Sequence, residues 1–337
     1  MKAIVQREYG GFDVLKLEEV PDPVPGPGEV LVRVKGSSVH ADVWHMVTGR
    51  PYAMRLFGGG LRRPKNLIPG TDMAGVVEAV GPGASRFQVG DAVFGETVPM
   101  NQWTNGGAFA ELVSVPEGTL ERKPANLSFE EAAAVPTSAL IALMNMRDGG
   151  KPQPGEKVLI NGAGGAVGVY ALQFAKDLGA EVTAVDHTSK LDLLRSLGAD
   201  HVIDYTAENF TDRPERYDLL FDVACSFPYK EARRVLADEG RYIMIGHAGY
   251  EGEKKPIVGS LGSFFGLMAR TPFDKNLPSL NFEMGKDDDL AFIARGLESG
   301  RFKAVVGTVF PMAEVREALE CLVSGDFLGK IVLRIPA

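Results

Sequence analysis

Lys157-Val158-Leu159-Ile160-Asn161-Gly162-Ala163-Gly164-Gly165-Ala166-Val167-Gly168-Val169-Tyr170-Ala171-Leu172-Gln173-Phe174-Ala175-Lys176 runs from an apolar strand through a glycine-packed turn into a helix. Glycines let a backbone turn tightly and approach a phosphate closely, while the first-turn N–H groups and the positive end of the helix dipole attract negative charge. The stretch therefore predicts a dinucleotide diphosphate site over Gly162, Gly164, Gly165, Ala166, Val167 and Gly168. A glycine spacing alone is weak evidence, but here its context supports it. Val167, Tyr170, Ala171, Phe174, Ala175 and Leu178 form one apolar helical stripe. A second strand, Glu181 to Val185, then ends in Asp186, an acid where adenosine ribose hydroxyls are bound in such units. Without a ligand, the same segment is an ordinary strand–turn–helix unit.

The chain has 337 residues, beyond the size at which one hydrophobic core stops growing, so two domains are expected. Its 45% apolar and 24% charged residues are ordinary for a soluble globular protein. A net charge of −8 argues against nucleic acid or an anionic membrane as the main partner, and Arg62-Arg63-Pro64-Lys65 reads as a solvated loop. No apolar run reaches the ~20 residues of a membrane span and the start lacks a secretory pattern, which predicts a cytoplasmic protein. The two cysteines, Cys225 and Cys321, lack metal-ligand spacing and read as core residues of a reducing compartment.

The first part of the chain reads as β-rich. Glu29 to Lys35 alternates, with Val30, Val32 and Val34 on one face and Arg33 and Lys35 on the other. Short apolar segments follow at Gly75–Val80, Asp91–Phe94 and Ala108–Val115, punctuated by Gly81-Pro82-Gly83 and Gly90-Asp91. From Ser128 the texture changes. Ser128 and Glu131 form a capping-box pattern ahead of an alanine-rich helix to about Met146, interrupted at Pro136. Strands then alternate with helices, which implies a parallel, doubly wound sheet. The end returns with a strand Val305–Phe310, a helix Ala313–Val323 and a strand Lys330–Leu333.

These segments together resemble the medium-chain dehydrogenase/reductase superfamily, in its zinc-free quinone oxidoreductase and enoyl-reductase branch. The likeness runs through Met1-Lys2-Ala3-Ile4, Pro69 to Gly81, Gly107-Ala108-Phe109-Ala110-Glu111, Asn161 to Gly168, Leu197-Gly198-Ala199-Asp200 and Gly329 to Leu333. It implies an α/β chain with two domains. One is a GroES-like β-barrel of residues 1–126 completed by 300–337, and the other a Rossmann doubly wound parallel-sheet domain of residues 127–299. Zinc-dependent relatives carry a Cys, a His-Glu pair and a second Cys. Here Gly36 to Asp42 holds no Cys, Thr71-Asp72 replaces the pair, and His40, Asp42, His45 and Asp72 lack ligand-type spacing, so no metal is expected.

Zinc polarises a carbonyl so that hydride can move. Without it the acceptor must be electrophilic on its own, as a quinone, enone or enal is, and a nearby donor must supply a proton. The resemblance therefore implies an NAD(P)H-dependent oxidoreductase of such acceptors. Its alternatives are a zinc-free alcohol or aldehyde dehydrogenase and a dinucleotide-binding protein without turnover. Tyr52 is the candidate proton donor by resemblance, or else a tyrosine packed on the barrel rim; His45 and His40 are further candidates. Asp186 favours NADH because it would repel a 2′-phosphate. Lys190 and Tyr205 match positions that suit NADPH, so both cofactors stay open. By the same resemblance, Thr137, His187, Gly246, His247 and Lys330 are expected cofactor contacts. The expected partners are a small-molecule substrate and a second copy in a homodimer, with no nucleic acid and no membrane. Residues 249–281 are expected to form a pocket lid or dimer contact.

Overall fold

The computed structural model describes residues 1–56, 60–98, 104–246, 261–277 and 288–336. Two compact units divide the chain, one built from the described residues of 1–137 and 288–336, the other from 138–246 and 261–277.

The first unit is mostly β. Strands β1 (Lys2–Gln6) and β2 (Leu15–Glu19) form an antiparallel pair. A larger sheet contains β3 (Glu29–Val39), β4 (Asp72–Val80), β5 (Ala92–Glu96), β6 (Leu112–Pro116) and β7 (Leu120–Arg122). Helix α1 (Ala41–Thr48) follows β3 directly, so the residue between them, His40, is fixed by both elements. Val30, Val32 and Val34 are fully buried as the alternation predicts, and Leu31, on the opposite face, is buried too. The capping box forms: Ser128 Oγ accepts the Glu131 N–H and Glu131 accepts the Ser128 N–H, starting α2 (Phe129–Ala133). This short helix packs on β3 and β4 and belongs with the β unit. Pro136 then starts a separate helix, α3 (Pro136–Leu143), in which the two units divide, and a π-helical stretch Met144–Gly150 follows.

The second unit is a five-stranded parallel sheet. In chain order its elements are β8 (Lys157–Asn161), α4 (Gly168–Asp177), β9 (Glu181–Asp186), α5 (Leu191–Ser196), β10 (His201–Asp204), β11 (Tyr217–Asp222), α6 (Tyr229–Ala232) and β12 (Leu236–Met244). The strands lie in the order β10-β9-β8-β11-β12, so the order reverses between β8 and β11. Ligands bind parallel sheets at such a switch point, beyond the carboxyl ends of the strands. Val158, Leu159 and Ile160 are fully buried, as a strand covered on both faces requires. The apolar stripe of α4 is present, but Val169, Leu172 and Gln173 are buried as well, because α4 packs on β8, β9 and the π-helical stretch. Helix α7 (Leu261–Arg270) and a short 3₁₀ turn, Thr271–Phe273, lie in the last described segment of this unit.

The chain then returns to the first unit through α8 (Asp289–Glu298), β13 (Val306–Pro311), α9 (Val315–Ser324) and β14 (Lys330–Arg334). Strand β14 pairs antiparallel with β3, which incorporates the C-terminal segment into the β unit. Among the described residues no helix is long and apolar enough to cross a membrane.

Candidate active site

The phosphate turn is built at the end of β8. Gly162 takes φ +84°, and the N–H groups of Gly162 and Ala163 donate to Val185 O at 3.0 and 3.1 Å, tying the turn to β9. A Cβ on Gly168 would lie 2.2 Å from Gly162 O and 2.6 Å from Ala163 Cα, so this glycine lets α4 close against the turn. Gly165 differs: a Cβ there meets only Gly162 O, at 3.5 Å. The turn thus has open space at Gly165 beside the start of α4, where the Val169 N–H donates to Gly165 O at 3.1 Å. It fits a diphosphate.

Asp186, His187, Lys190 and Tyr205 gather beside this turn. Asp186 Oδ2 accepts the Gly164 N–H at 2.7 Å, and Oδ1 accepts the His187 N–H at 2.8 Å. Lys190 Nζ lies 3.3 Å from Asp186 Oδ1, with both side chains largely buried. The lysine stem covers the turn, since a Cβ on Gly164 would meet Lys190 Cδ at 2.7 Å. The ring of His187 packs 6.0 Å from that of Tyr205, which stays exposed. His187 Nδ1 accepts the Ser189 N–H at 3.3 Å. Asp186 and Lys190, which argue for different cofactors in the sequence, form one ion pair here.

A second polar cluster, which the sequence did not reveal, sits where the strand order reverses. Asp222 is fully buried and accepts hydrogen bonds from Asn161 Nδ2 at 2.8 Å, Tyr242 Oη at 2.9 Å and Cys225 N at 2.8 Å. Burial pushes its carboxyl above the usual carboxylate range, and these donors offset only part of that. Burial also raises the Cys225 thiol, which donates to Gly246 O at 3.1 Å. Gly246 lies against Val223, with room for no side chain, while His247 falls outside the described residues.

In the first unit, Asp72 at the start of β4 is the centre of a buried network. Its Oδ2 accepts Ser38 Oγ–H at 2.6 Å and lies 3.3 Å from Lys330 Nζ. Its Oδ1 accepts the Thr137 N–H at 3.0 Å and faces Thr137 Oγ1 at 2.5 Å. Burial alone would raise this carboxyl, but Lys330, His40 and the two hydroxyls together bring it below the usual range. Thr137 and Lys330, expected on the cofactor, are thus engaged with Asp72. Thr137 Oγ1 also lies 2.7 Å from Glu96 Oε1. A hydroxyl carries one proton, so Thr137 Oγ1 can donate fully to only one of the two carboxyls. Glu96→Gln keeps an oxygen that can accept from the hydroxyl and is expected to change stability by less than about 1 kcal/mol in a thermal melt.

The three proton-donor candidates separate in the structure. His40 is buried, with Nε2 2.9 Å from Thr71 Oγ1 and Nδ1 3.1 Å from Asp42 Oδ2. The second contact is close but misaligned, so Nδ1 makes no hydrogen bond. His45 Nδ1 donates to Arg50 O at 2.6 Å and fixes the end of α1. Tyr52 is 41% exposed, with the Arg55 guanidinium 4.4 Å over its ring. That guanidinium also lies 4.3 Å over Tyr9, so Tyr52 belongs to a stacked surface cluster.

Residues 26–125 match the family described as alcohol dehydrogenase GroES-like domain, and residues 197–333 that described as zinc-binding dehydrogenase. The chain is 30% identical over 345 residues to chloroplastic quinone-oxidoreductase QR1 of Triphysaria versicolor, covering 99% of this chain and 98% of that one. It is 31% identical over 340 residues to 2-methylene-furan-3-one reductase of Solanum lycopersicum, covering 99% and 79%. A crystal structure of an NAD-dependent alcohol dehydrogenase matches with a TM-score of 0.82 at 30% identity, covering 100% of both chains. The described side chains do not fit the zinc that the second family's description names. No three His, Cys, Asp or Glu among them converge as a donor set, and His40 Nε2 faces a threonine hydroxyl. On these matches, the chain belongs to the medium-chain dehydrogenase/reductase superfamily of oxidoreductases, among the homologues of its quinone oxidoreductases.

Proposed function

We propose that this protein is an NAD(P)H-dependent, metal-independent reductase of conjugated acceptors, namely quinones, enones or enals. The observation that carries the reading is the pairing of an open phosphate turn at Gly162–Gly168 with a hydroxyl–imidazole contact, Thr71 to His40, in place of a metal donor set. The relatives named for quinone and enone reduction support it. When bound, a reduced nicotinamide supplies hydride. The turn at Gly162–Gly168 would hold the diphosphate through backbone N–H groups. Asp186, Lys190 and Tyr205 would hold the adenosine ribose. A conjugated acceptor spreads the incoming charge over its own π system, so the protein need only orient it and donate a proton.

Lys190 neutralises Asp186, which removes the charge that would repel a 2′-phosphate and leaves the carboxylate available to ribose hydroxyls. We therefore expect both cofactors to be used. Lys190→Ala should raise the KM for NADPH about 10-fold or more, a charged hydrogen bond being worth roughly 1.5–3 kcal/mol. The KM for NADH should change by less than about 3-fold, and parallel initial-rate assays check both. The function itself is tested by cofactor oxidation against 1,4-naphthoquinone, cyclohex-2-enone and trans-2-hexenal, with ethanol and NAD⁺ as the contrasting pair. Oxidation of NAD(P)H only when a conjugated acceptor is present supports the reading; turnover of the alcohol alone rejects it.

A further inference from the structure

We propose that Asp42, His40 and Thr71 form a proton relay whose terminal hydroxyl, Thr71 Oγ, protonates the reduced acceptor. This rests on the reading that the chain reduces conjugated acceptors. The three groups come from adjoining parts of the first unit: Asp42 on α1, His40 at the junction of β3 and α1, and Thr71 immediately before β4. They lie in series, carboxylate to Nδ1 at 3.1 Å and Nε2 to hydroxyl at 2.9 Å. Thr71 and His40 are 7% and 6% exposed, whereas the Asp42 side chain is 17% exposed, so the series runs from a solvent-accessible acid to a buried hydroxyl.

Two further observations mark this place. His40 Nδ1 and Thr97 Oγ1 are both buried without a hydrogen-bond partner, although such atoms are normally satisfied. Thr97 is joined to Thr71 directly, its N–H donating to Thr71 O at 2.7 Å. Catalytic hydrogen bonds are often misaligned before substrate binds and tighten in the complex, which accounts for the contact between His40 and Asp42. Two other nearby hydroxyls are committed elsewhere: Ser38 to Asp72, and Thr137 between Asp72 and Glu96. The charged groups around His40 are Asp42 on α1 and Asp72 on β4, with Lys330 on β14 and Glu96 on β5 beyond Asp72.

The acceptor, having gained a hydride and its two electrons, is an anion. As a new C–H or O–H bond forms on it, the Thr71 O–H bond breaks and Thr71 Oγ takes the Nε2 proton of the His40 imidazolium. The neutral ring keeps its Nδ1 proton beside the Asp42 carboxylate, whose charge favours the imidazolium, and Nε2 regains a proton from water. Thr71 is then the catalytic residue; His40 and Asp42 act through it.

The test compares the full-length protein with Thr71→Val, Thr71→Ser, His40→Gln, Asp42→Asn and Tyr52→Phe, using cyclohex-2-enone and NADPH. Thr71→Val and His40→Gln should lower kcat at least about 10-fold, at the low end of general-acid contributions. Thr71→Ser, which keeps the hydroxyl, should stay within about 3-fold of the parent. Asp42→Asn should move the kcat–pH profile to lower pH. In the protein without cofactor, ¹⁵N imidazole NMR should show the His40 titration moving the same way. Thermal melts and NADPH fluorescence titrations establish that each variant is folded and binds cofactor. An active parent whose Thr71→Val variant keeps its kcat and pH profile overturns the relay alone. So does a loss with Tyr52→Phe that Thr71→Val does not match, or a His40 titration indifferent to Asp42→Asn. A parent inactive with every conjugated acceptor overturns the functional reading, and the relay with it.

Discussion

Gly168→Ala is expected to abolish measurable dinucleotide binding and to destabilise the second unit by about 3 kcal/mol, the upper end of overpacking penalties. The added methyl would stand 2.2 Å from Gly162 O, 2.6 Å from Ala163 Cα and 2.7 Å from Ala163 C, all of them backbone atoms. A flexible side chain can move aside, but here either the turn or the whole of α4 must shift. The N–H groups proposed to hold the diphosphate would move with them. The affinity loss should exceed about 100-fold, equivalent to about 2.8 kcal/mol, and the melting temperature should fall by about 6–12 °C. Gly165→Ala separates folding from binding. Its methyl meets only Gly162 O at 3.5 Å, an ordinary contact, so stability should change by less than about 0.5 kcal/mol. Yet it projects into the approach left for the diphosphate, so affinity should still fall at least about 10-fold. Fluorescence titration with NADPH alongside calorimetry distinguishes the two. Equal losses of stability in both variants would mean that Gly165, too, is required by packing.

Lys330→Met should destabilise the first unit by about 3–5 kcal/mol, because it strands a buried carboxylate. Lys330 is 1% exposed and Asp72 0%, and the ammonium is the main charge opposing the desolvation of Asp72. The pH dependence carries the signature. In the parent the Asp72 carboxyl is held below its ordinary value. Its contribution to stability is therefore complete above the unfolded pKa of about 3.9 and is lost as pH falls through the lower folded value. Lys330→Met removes the main charge that opposes burial, so the folded value rises. The deficit of the variant should therefore be small at acid pH, grow as pH rises through its folded value and be largest near pH 7. Replacing both partners, with Asp72→Asn added to Lys330→Met, should recover most of the loss. Denaturant melts at several pH values check this. A deficit independent of pH would assign Lys330 to packing and not to charge.

What the sequence disclosed about the site follows the separation of its parts along the chain. The strand–turn–helix stretch and Asp186 are legible because glycine geometry, strand and helix lie in one contiguous segment. The capping box at Ser128 is legible for the same reason. By contrast, the Asp72 network draws Ser38, Glu96, Thr137 and Lys330 from separate elements, and no local pattern announces their convergence. The Asp222 cluster is of the same kind. Asp186 and Lys190, four residues apart, read as rival cofactor determinants; only the three-dimensional structure joins them as an ion pair. His40 and Thr71 each stand out as departures from zinc-binding relatives. Their hydrogen bond to one another depends on how β3, α1 and the start of β4 meet, which periodicity does not encode. Tyr52 was legible as a residue type following Gly49, but its stacking with Arg55 and Tyr9 was not.

The most direct measurement is the rate of NADPH and NADH oxidation by the full-length protein with cyclohex-2-enone or 1,4-naphthoquinone, before and after dialysis against a strong chelator. We predict acceptor-dependent oxidation, one cofactor consumed per acceptor reduced, at a rate that dialysis leaves unchanged. Oxidation that disappears on dialysis and returns with added zinc, or no oxidation with any conjugated acceptor, would contradict the account.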